Sequence, residues 1–404
     1  MTAGDPLRSV TIAGGGVAGF SVARELRANG FDGTLRIVDP EGLPYDRPPL
    51  SKGYLAGETT AKALLLAPDG WYDDNAVEIV TDSVAKLSPG TGGVLLTRGG
   101  EIASDAVVLA TGGVARRLPV PGADSPAVHA LRNRADADAL RAALRPGAQL
   151  VVIGAGLIGA EVASTASAHG VAVTLVDPVP VPLVPALGPE LAEFLHDQHA
   201  QHGVRVVRGS PLRITGTAVT VASISEPLTL QADVVLTAVG LAVDTTLAAG
   251  LDVDDGVLTD TVGRTSNPAV YAAGDLARTR LPDGTLTRRS EHWEAATLDG
   301  TAVARAIVGV APQDRPPAWF WSDRYGLHVE AVGAMAGPGT TILREAGPRS
   351  RLAFRRDHDG RLVGCAAVNG GKSFRAARRL VTRAAVVDVD ELRDPAVDLR
   401  KAGR

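Results

Sequence analysis

Cysteine occurs once in 404 residues, at Cys365. A single thiol excludes an internal disulfide, a CxxC redox pair and any cysteine-based zinc or iron–sulfur site. Its setting, "RLVGCAAV", is apolar, which predicts a buried, inert thiol. Long apolar runs are missing too: 150–160 and 234–243 stop well short of the roughly 20 residues a membrane span requires. No basic stretch followed by an apolar core opens the chain, so its start does not read as a signal peptide. Neither sign of charge dominates. With 41 Lys and Arg against 45 Asp and Glu, the net charge of −4 argues neither for nucleic acid nor for an anionic membrane surface, and neither is expected as a partner. Hydrophobic content of 45% and charged content of 21% are those of an ordinary globular protein, expected here to be soluble and cytoplasmic.

What the chain does have is a repeat. "VTIAGGGVAGFSVARELRANG" (10–30) and "LVVIGAGLIGAEVASTASAHG" (150–170) align without a gap, Gly14, Gly16, Gly19 and Gly30 matching Gly154, Gly156, Gly159 and Gly170. Each copy reads as a β-strand, a glycine turn and a helix. Each is followed by a second strand ending in an acid, "GTLRIVDP" with Asp39 and "VAVTLVDP" with Asp177. That is the βαβ unit of a dinucleotide-binding fold. The first glycine permits the tight turn, the second lets a pyrophosphate approach the backbone, and the third lets helix and strand pack closely. The helix N-terminus offers free N–H donors and positive dipole to phosphate. The acids stand 20 and 18 residues after the last turn glycines, Gly19 and Gly159, where a carboxylate reaches a ribose hydroxyl.

Two further strands end in glycine, "DAVVLATGG" (105–113) and "ADVVLTAVG" (232–240), as if each nucleotide unit closed in the same way. A third, within "GRTSNPAVYAAGDLA" (263–277), runs into Gly274-Asp275. Asp275 reads either as a helix N-cap or as a carboxylate that accepts a ligand hydroxyl. The pattern predicts an α/β fold with two Rossmann-like dinucleotide-binding domains, the second inserted in the first. The expected boundaries are 1–115 with 245–317, then 116–244, then a small α+β domain at 318–404.

The glycine turns, "PYDRPPLSKGYL" (44–55), "ATG" (110–112) and "GRT…YAAGDLA" resemble the two-dinucleotide flavoprotein oxidoreductases related to glutathione reductase. "RPPLSKGYL", "RRSEHWEAA" (288–296) and "PAWFWSDRYG" (317–326) are similar to one branch, the putidaredoxin-reductase-like enzymes that feed ferredoxin or rubredoxin in oxygenase systems. The resemblance spans essentially the whole chain. It implies FAD in the first unit, held by Gly14, Gly16, Ala18 and Asp39 at pyrophosphate and ribose, with Arg47 and Lys52 toward pyrophosphate and flavin. Thr111 and Gly112 would line that site, Asp275 would meet ribityl or phosphate oxygens, and Glu291 and Trp293 would lie near the isoalloxazine. Arg47 could equally be a solvated loop cation. The second unit would take NADH through Gly154, Gly156, Leu157, Ile158, Gly159, Asp177 and Gly240.

NADH is preferred over NADPH on charge. Asp177 repels a 2′-phosphate, and the next stretch, "PVPVPLVPALGPELAEF", has no Arg or Lys to neutralise one. Here the chain departs from the family, whose members often carry arginines just after this acid. Disulfide-reducing relatives pass electrons to a dithiol near the position of Lys52; with no cysteine there, electrons must leave the flavin for an external acceptor. A [2Fe–2S] ferredoxin of an oxygenase or cytochrome P450 system is the expected partner. A rubredoxin reductase or NADH oxidase of the same fold, or an NADH-responsive binding flavoprotein like apoptosis-inducing factor, are the rivals.

Glu161 reads as a first-turn glutamate favoured by the helix dipole. The resemblance implies instead that it pairs with Lys52, across the two nucleotide domains, and that these two residues serve the reaction. Trp319, Phe320 and Trp321 read as core, or as an electron exit. Arg278, Arg280, Arg288, Arg289 and Arg305, or Arg375, Arg378 and Arg379, are candidate docking cations. A monomer or weak homodimer suits a transient electron donor.

Overall fold

Strand β1 (Ser9–Ala13), helix α1 (Val17–Ala28) and strand β2 (Thr34–Val38) open the chain, followed by β3 (Val77–Val80) and β4 (Ala106–Leu109). Next come β5 (Val128–His129), α2 (Arg134–Ala143), β6 (Gln149–Ile153), α3 (Leu157–Ala168), β7 (Ala172–Asp177), α4 (Pro189–Gln201), β8 (Arg205–Arg208) and β9 (Val234–Thr237). After β10 (Val270–Ala272) and α5 (Trp293–Ile307), the chain ends in β11 (Trp319–Arg324), β12 (Leu327–Gly333), β13 (Thr340–Gly347), β14 (Ser350–Arg356), β15 (Leu362–Val368) and α6 (Gly371–Thr382). The structure, a computed structural model, describes residues 7–88, 94–98, 100–223 and 226–403; the first six residues, part of the stretch read for a signal peptide, lie outside it.

The described residues fall into two compact units. The first gathers Met1–Arg47, Thr60–Val114 and Leu241–Arg315; the second gathers Pro48–Thr59, Ala115–Gly240 and Pro316–Arg404. In the first unit a parallel sheet has the order β10–β4–β1–β2–β3. Its strands β10, β4 and β1 are buried on both faces, as parallel strands covered by crossover helices must be. Val108 and Ala106 of β4 meet Val22, Leu26 and Val303 of α1 and α5, while Val107 and Leu109 pack on the opposite side with Val270 and Leu276. That split follows from the two-residue alternation of a strand.

The second unit repeats the plan. Its parallel sheet has the order β8–β7–β6–β9–β5, so β6 lies between the acid-ending β7 and the closing β9, as β1 lies between β2 and β4. The same unit contains an antiparallel sheet, β11–β12–β15–β14–β13. One face of it carries α6, with Phe354, Leu362, Phe374 and Leu380 fully enclosed. Leu191 and Leu195 of α4 cover the other face, against Val329, Ala353 and Val368. The architecture is therefore α/β with two Rossmann-like sheets and a C-terminal α+β element. No helix among the described residues is long and apolar enough to cross a membrane.

Candidate functional site

Each turn glycine meets a different physical constraint. Gly14 has φ +108°, and a Cβ there would lie 2.3 Å from the Ala110 carbonyl oxygen; Gly154 has φ +104° and the same 2.3 Å approach to Ala238. The end of the closing strand therefore crowds the first glycine of each turn. A Cβ on Gly19 would sit 2.0 Å from the Gly14 carbonyl oxygen, and one on Gly159 would sit 1.9 Å from that of Gly154. Gly16 and Gly156 are different. Both have an ordinary φ of −69°, and nothing lies within 4 Å of a Cβ built on either. The protein leaves that space open in both units.

Helices α1 and α3 begin at these open glycines with no side-chain cap and no acid in the first turn. Their first N–H groups therefore face outward unneutralised, a setting for phosphate. The acids are tied to the same turns. Asp39 Oδ2 accepts the Gly15 N–H at 2.6 Å and its Oδ1 accepts that of Glu41 at 2.8 Å. Asp177 repeats this with Ala155 at 2.7 Å and Val179 at 2.8 Å. A carboxylate has about four lone-pair sites, so each keeps capacity for a ribose diol. The residues present fit two dinucleotides.

Around the first turn, Gly274 has φ +72° and packs on α1, where an added Cβ would meet Ala18 Cβ at 2.9 Å. Its N–H donates to Asp299 Oδ2 at 3.2 Å, and Arg315 holds the other Asp299 oxygen at 2.5 Å. Burial pushes the Asp299 carboxyl upward. Asp275 lies inside this short turn, not at its N-cap, which is Ala273. Its carbonyl accepts from Arg289 at 3.0 Å, and Arg289 also meets Glu291 at 3.0 Å. Trp293 opens α5 and donates to Asp46 Oδ1 at 2.7 Å. Arg47 is engaged locally, 3.3 Å from Glu41 Oε1 and over the Tyr45 ring. Thr111 and Gly112 follow β4, Gly112 with φ +65°. In the second unit Leu157 and Ile158 open α3, and Ile158 is 42% exposed. Gly240 follows β9 with φ +103°, and its carbonyl accepts the Arg116 N–H at 2.9 Å.

Lys52 and Glu161 meet at 3.3 Å between Nζ and Oε1. Two details differ from the sequence reading. Glu161 is the fifth residue of α3, beyond the first turn, and is buried, so partners and not the helix dipole stabilise its charge. Segment 48–59 also clusters with the second unit, so the pair lies within one unit. The cause is local: Ser51 Oγ donates to Glu161 Oε2 at 2.5 Å, Thr165 Oγ1 donates to the Ser51 carbonyl at 3.0 Å, and Tyr54 donates to Asp138 of α2 at 2.8 Å. Strand β11 completes the setting. Ser322 Oγ donates to Glu161 Oε1 at 2.7 Å, and the buried Arg324 guanidinium acts on Glu161 by charge while burial holds its own pKa down at about 10. Ser51, Ser322 and Arg324 are functional residues that no sequence motif singles out. For Ser322 and Arg324 the period-2 alternation of β11, which puts both on its buried face, is the available signal; Ser51 has none.

Two other expectations change. Trp319 and Trp321 stack at 5.2 Å, Trp319 under Arg378 and Trp321 under Lys52, so these rings pack against cations as well as each other. The 278–305 arginines are largely met by acids: Arg278 by Asp254, Arg280 by Asp252, Arg289 by Asp255 and Arg305 by Glu25.

The chain matches the family described as pyridine nucleotide-disulphide oxidoreductase over residues 8–300, and a reductase C-terminal family over 319–403. It is 33% identical to rhodocoxin reductase of Rhodococcus erythropolis over 98% of this chain and 94% of the relative. It is 35% identical to the benzene 1,2-dioxygenase system ferredoxin–NAD(+) reductase subunit of Pseudomonas putida, covering 97% and 96%. The chain belongs to the pyridine nucleotide-disulphide oxidoreductase family. Among solved structures, putidaredoxin reductase in its covalent complex with putidaredoxin superposes with a TM-score of 0.90 at 31% identity, covering 98% of each chain. This pyridine nucleotide-disulphide oxidoreductase has only Cys365, enclosed in β15, where burial pushes the thiol pKa far up. A thiol that stays protonated is no redox nucleophile.

Proposed function

We propose that the chain is an NADH-dependent flavoprotein ferredoxin reductase, passing electrons to a [2Fe–2S] ferredoxin of an oxygenase or cytochrome P450 system. The observation that carries this is the pair of matched turns, each with an open second glycine, in a chain whose one thiol is enclosed. FAD, when bound, supplies the hydride acceptor and the one-electron donor. Around it the protein's work is binding, orientation and electrostatics. Gly14, Gly16, Ala18, Asp39, Arg47, Thr111, Gly112, Asp275, Glu291 and Trp293 hold FAD; Gly154, Gly156, Leu157, Ile158, Gly159, Asp177 and Gly240 hold NADH. Lys52, paired with Glu161, sets the electrostatics at the flavin. The corresponding domains are 1–115 with 245–317 for FAD, 116–244 for NADH and 318–404 at the C-terminus, in a cytoplasmic monomer or weak dimer.

Specificity for NADH follows from Asp177, whose carboxylate repels a 2′-phosphate. The sheet qualifies the contiguous reading, because β8 brings Arg208 into register with Asp177. Asp177 belongs to the turn's own hydrogen bonds, so it keeps its place beside the ribose whatever Arg208 does. Reduction of cytochrome c by NADH, with and without an added [2Fe–2S] ferredoxin, tests the proposal. Strong ferredoxin dependence and a large preference for NADH over NADPH are expected. Rapid oxygen consumption without ferredoxin dependence would identify an oxidase instead.

A further inference from the structure

Lys52 faces a second carboxylate. Its Nζ is 3.3 Å from Glu161 Oε1 and 3.4 Å from Asp323 Oδ2, so distance alone favours neither. The other Asp323 oxygen, Oδ1, lies 2.6 Å from His328 Nδ1, and His328 Nε2 lies 3.6 Å from Glu330 Oε2. Asp323 and His328 are directly opposed on the β11–β12 hairpin, which holds the two side chains on one face. Exposure rises along the series, from 7% and 16% for the Glu161 and Lys52 side chains to 46% and 47% for Asp323 and His328. A continuous line of alternating charge therefore runs from a buried pair to a solvent-facing imidazole.

We infer that Asp323 and His328 are positioning residues that set how Lys52 is shared between its two carboxylates, with the His328 proton deciding the balance. The inference rests on the reading that Lys52 tunes the flavin. With the imidazole neutral, Asp323 keeps its full charge and competes with Glu161 for the ammonium. With the imidazole protonated, the cation on Asp323 Oδ1 offsets that carboxylate and leaves Lys52 to Glu161. Imidazole is the side chain whose charge ordinarily changes near neutral pH, which makes it the group in this line suited to such a role.

The surrounding charges are compatible with this. Glu161 is held by the Ser51 and Ser322 hydroxyls and feels Arg324, so it cannot follow Lys52 away. Segment 48–59 is anchored on α2 by Tyr54, which meets Asp138 and lies under Arg141. Glu330 faces His328 from the same strand, with Arg375 and Arg378 of α6 acting on it; burial pushes its carboxyl upward. The His328 N–H donates to Asn369 Oδ1 at 2.9 Å, which keeps the strand in place when the ring changes charge. Trp321 lies beneath the ammonium, 5.6 Å from Nζ to the ring centroid, and limits its travel.

Coupling between two sites is reciprocal. If the His328 proton acts on Lys52 through Asp323, the Lys52 charge must act on His328. The test is a histidine-nitrogen NMR titration of the full-length, FAD-loaded protein, the His328 signal assigned by its loss in His328→Gln. Lys52→Met removes a cation and is expected to raise the His328 midpoint by about half a pH unit or more. Asp323→Asn is expected to lower it. In stopped flow, the pH profile of flavin reduction by NADH is expected to lose its His328-dependent limb in His328→Gln. A His328 midpoint that stays in place in Lys52→Met overturns the inference, whether or not the enzyme turns over. Coupled midpoints in a protein that fails the ferredoxin assay uphold the coupling and locate the failure in the functional reading.

Discussion

Gly14 and Gly16 stand two positions apart and answer to different forces. Gly14 is required by the fold: positive φ costs any other residue about 1–3 kcal/mol, and its Cβ would also overlap the Ala110 carbonyl. Gly16 has an ordinary φ and open space beside it, so the fold alone does not require glycine there. The two alanine variants should therefore separate. Gly14→Ala should lower stability by at least about 2 kcal/mol in denaturant unfolding. Gly16→Ala should leave the apoprotein within about 0.5 kcal/mol of wild type yet purify with much less flavin per chain. Equal flavin content in Gly16→Ala and wild type would contradict a pyrophosphate site at that turn. The glycine spacing made this legible in sequence, because each glycine does its work within a few residues of the others. The partners of Glu161 were not legible, since Ser51 and Ser322 stand 110 and 161 positions away.

Hairpin β11–β12 shows what an element adds. Tyr325 and Gly326 form its two-residue turn with φ +55° and +65°, a pairing that suits the twist of the strands but strains a tyrosine. Contacts to α3 and α4 hold it there. The Tyr325 N–H donates to Ser164 Oγ at 2.7 Å, its hydroxyl lies 2.7 Å from His199 Nδ1, and its ring stacks on His202. Burial, and then the nearby Arg324, His196 and His202 charges, lower the His199 pKa from 6.5 to about 3. A depressed folded-state value means that the unfolded chain binds the extra proton between those limits. Stability from neutral His199 is thus complete above pH 6.5 and is lost as pH falls toward 3, at up to about 1.4 kcal/mol per pH unit. Denaturant unfolding from pH 7 to 4 should show wild type and His199→Gln converging as pH falls. Curves that stay parallel would remove His199 from the acid response.

For the whole molecule, charge is the property that bears on electron delivery. The arginines of 278–305 are largely occupied by acids, whereas α6 presents exposed Lys372, Arg375 and Arg379 at helical spacing with no acid in the helix. Steered association with an acidic ferredoxin should therefore depend on α6 and fall steeply with salt. In the double variant Lys372→Glu, Arg379→Glu the ferredoxin-dependent rate at low salt should fall about tenfold or more, with flavin reduction by NADH unchanged. Retention of both the rate and its salt dependence would exclude α6 as the steering surface.

Sequence alone determined what local physics determines: two βαβ units with their glycine turns and terminal acids, a single inert thiol, and an alternating C-terminal sheet. Steric limits on a turn and the 2.0 and 3.6 periodicities act over a few residues, so they can be read along the chain. Only the tertiary structure decided that segment 48–59 clusters with the second unit. It alone set the burial of Glu161 among Ser51, Lys52, Ser322 and Arg324, and gave Lys52 its second carboxylate in Asp323. Those outcomes depend on side chains brought together from three distant parts of the chain. No local period encodes such a meeting; it is decided by how charges and hydroxyls are satisfied once water has been excluded.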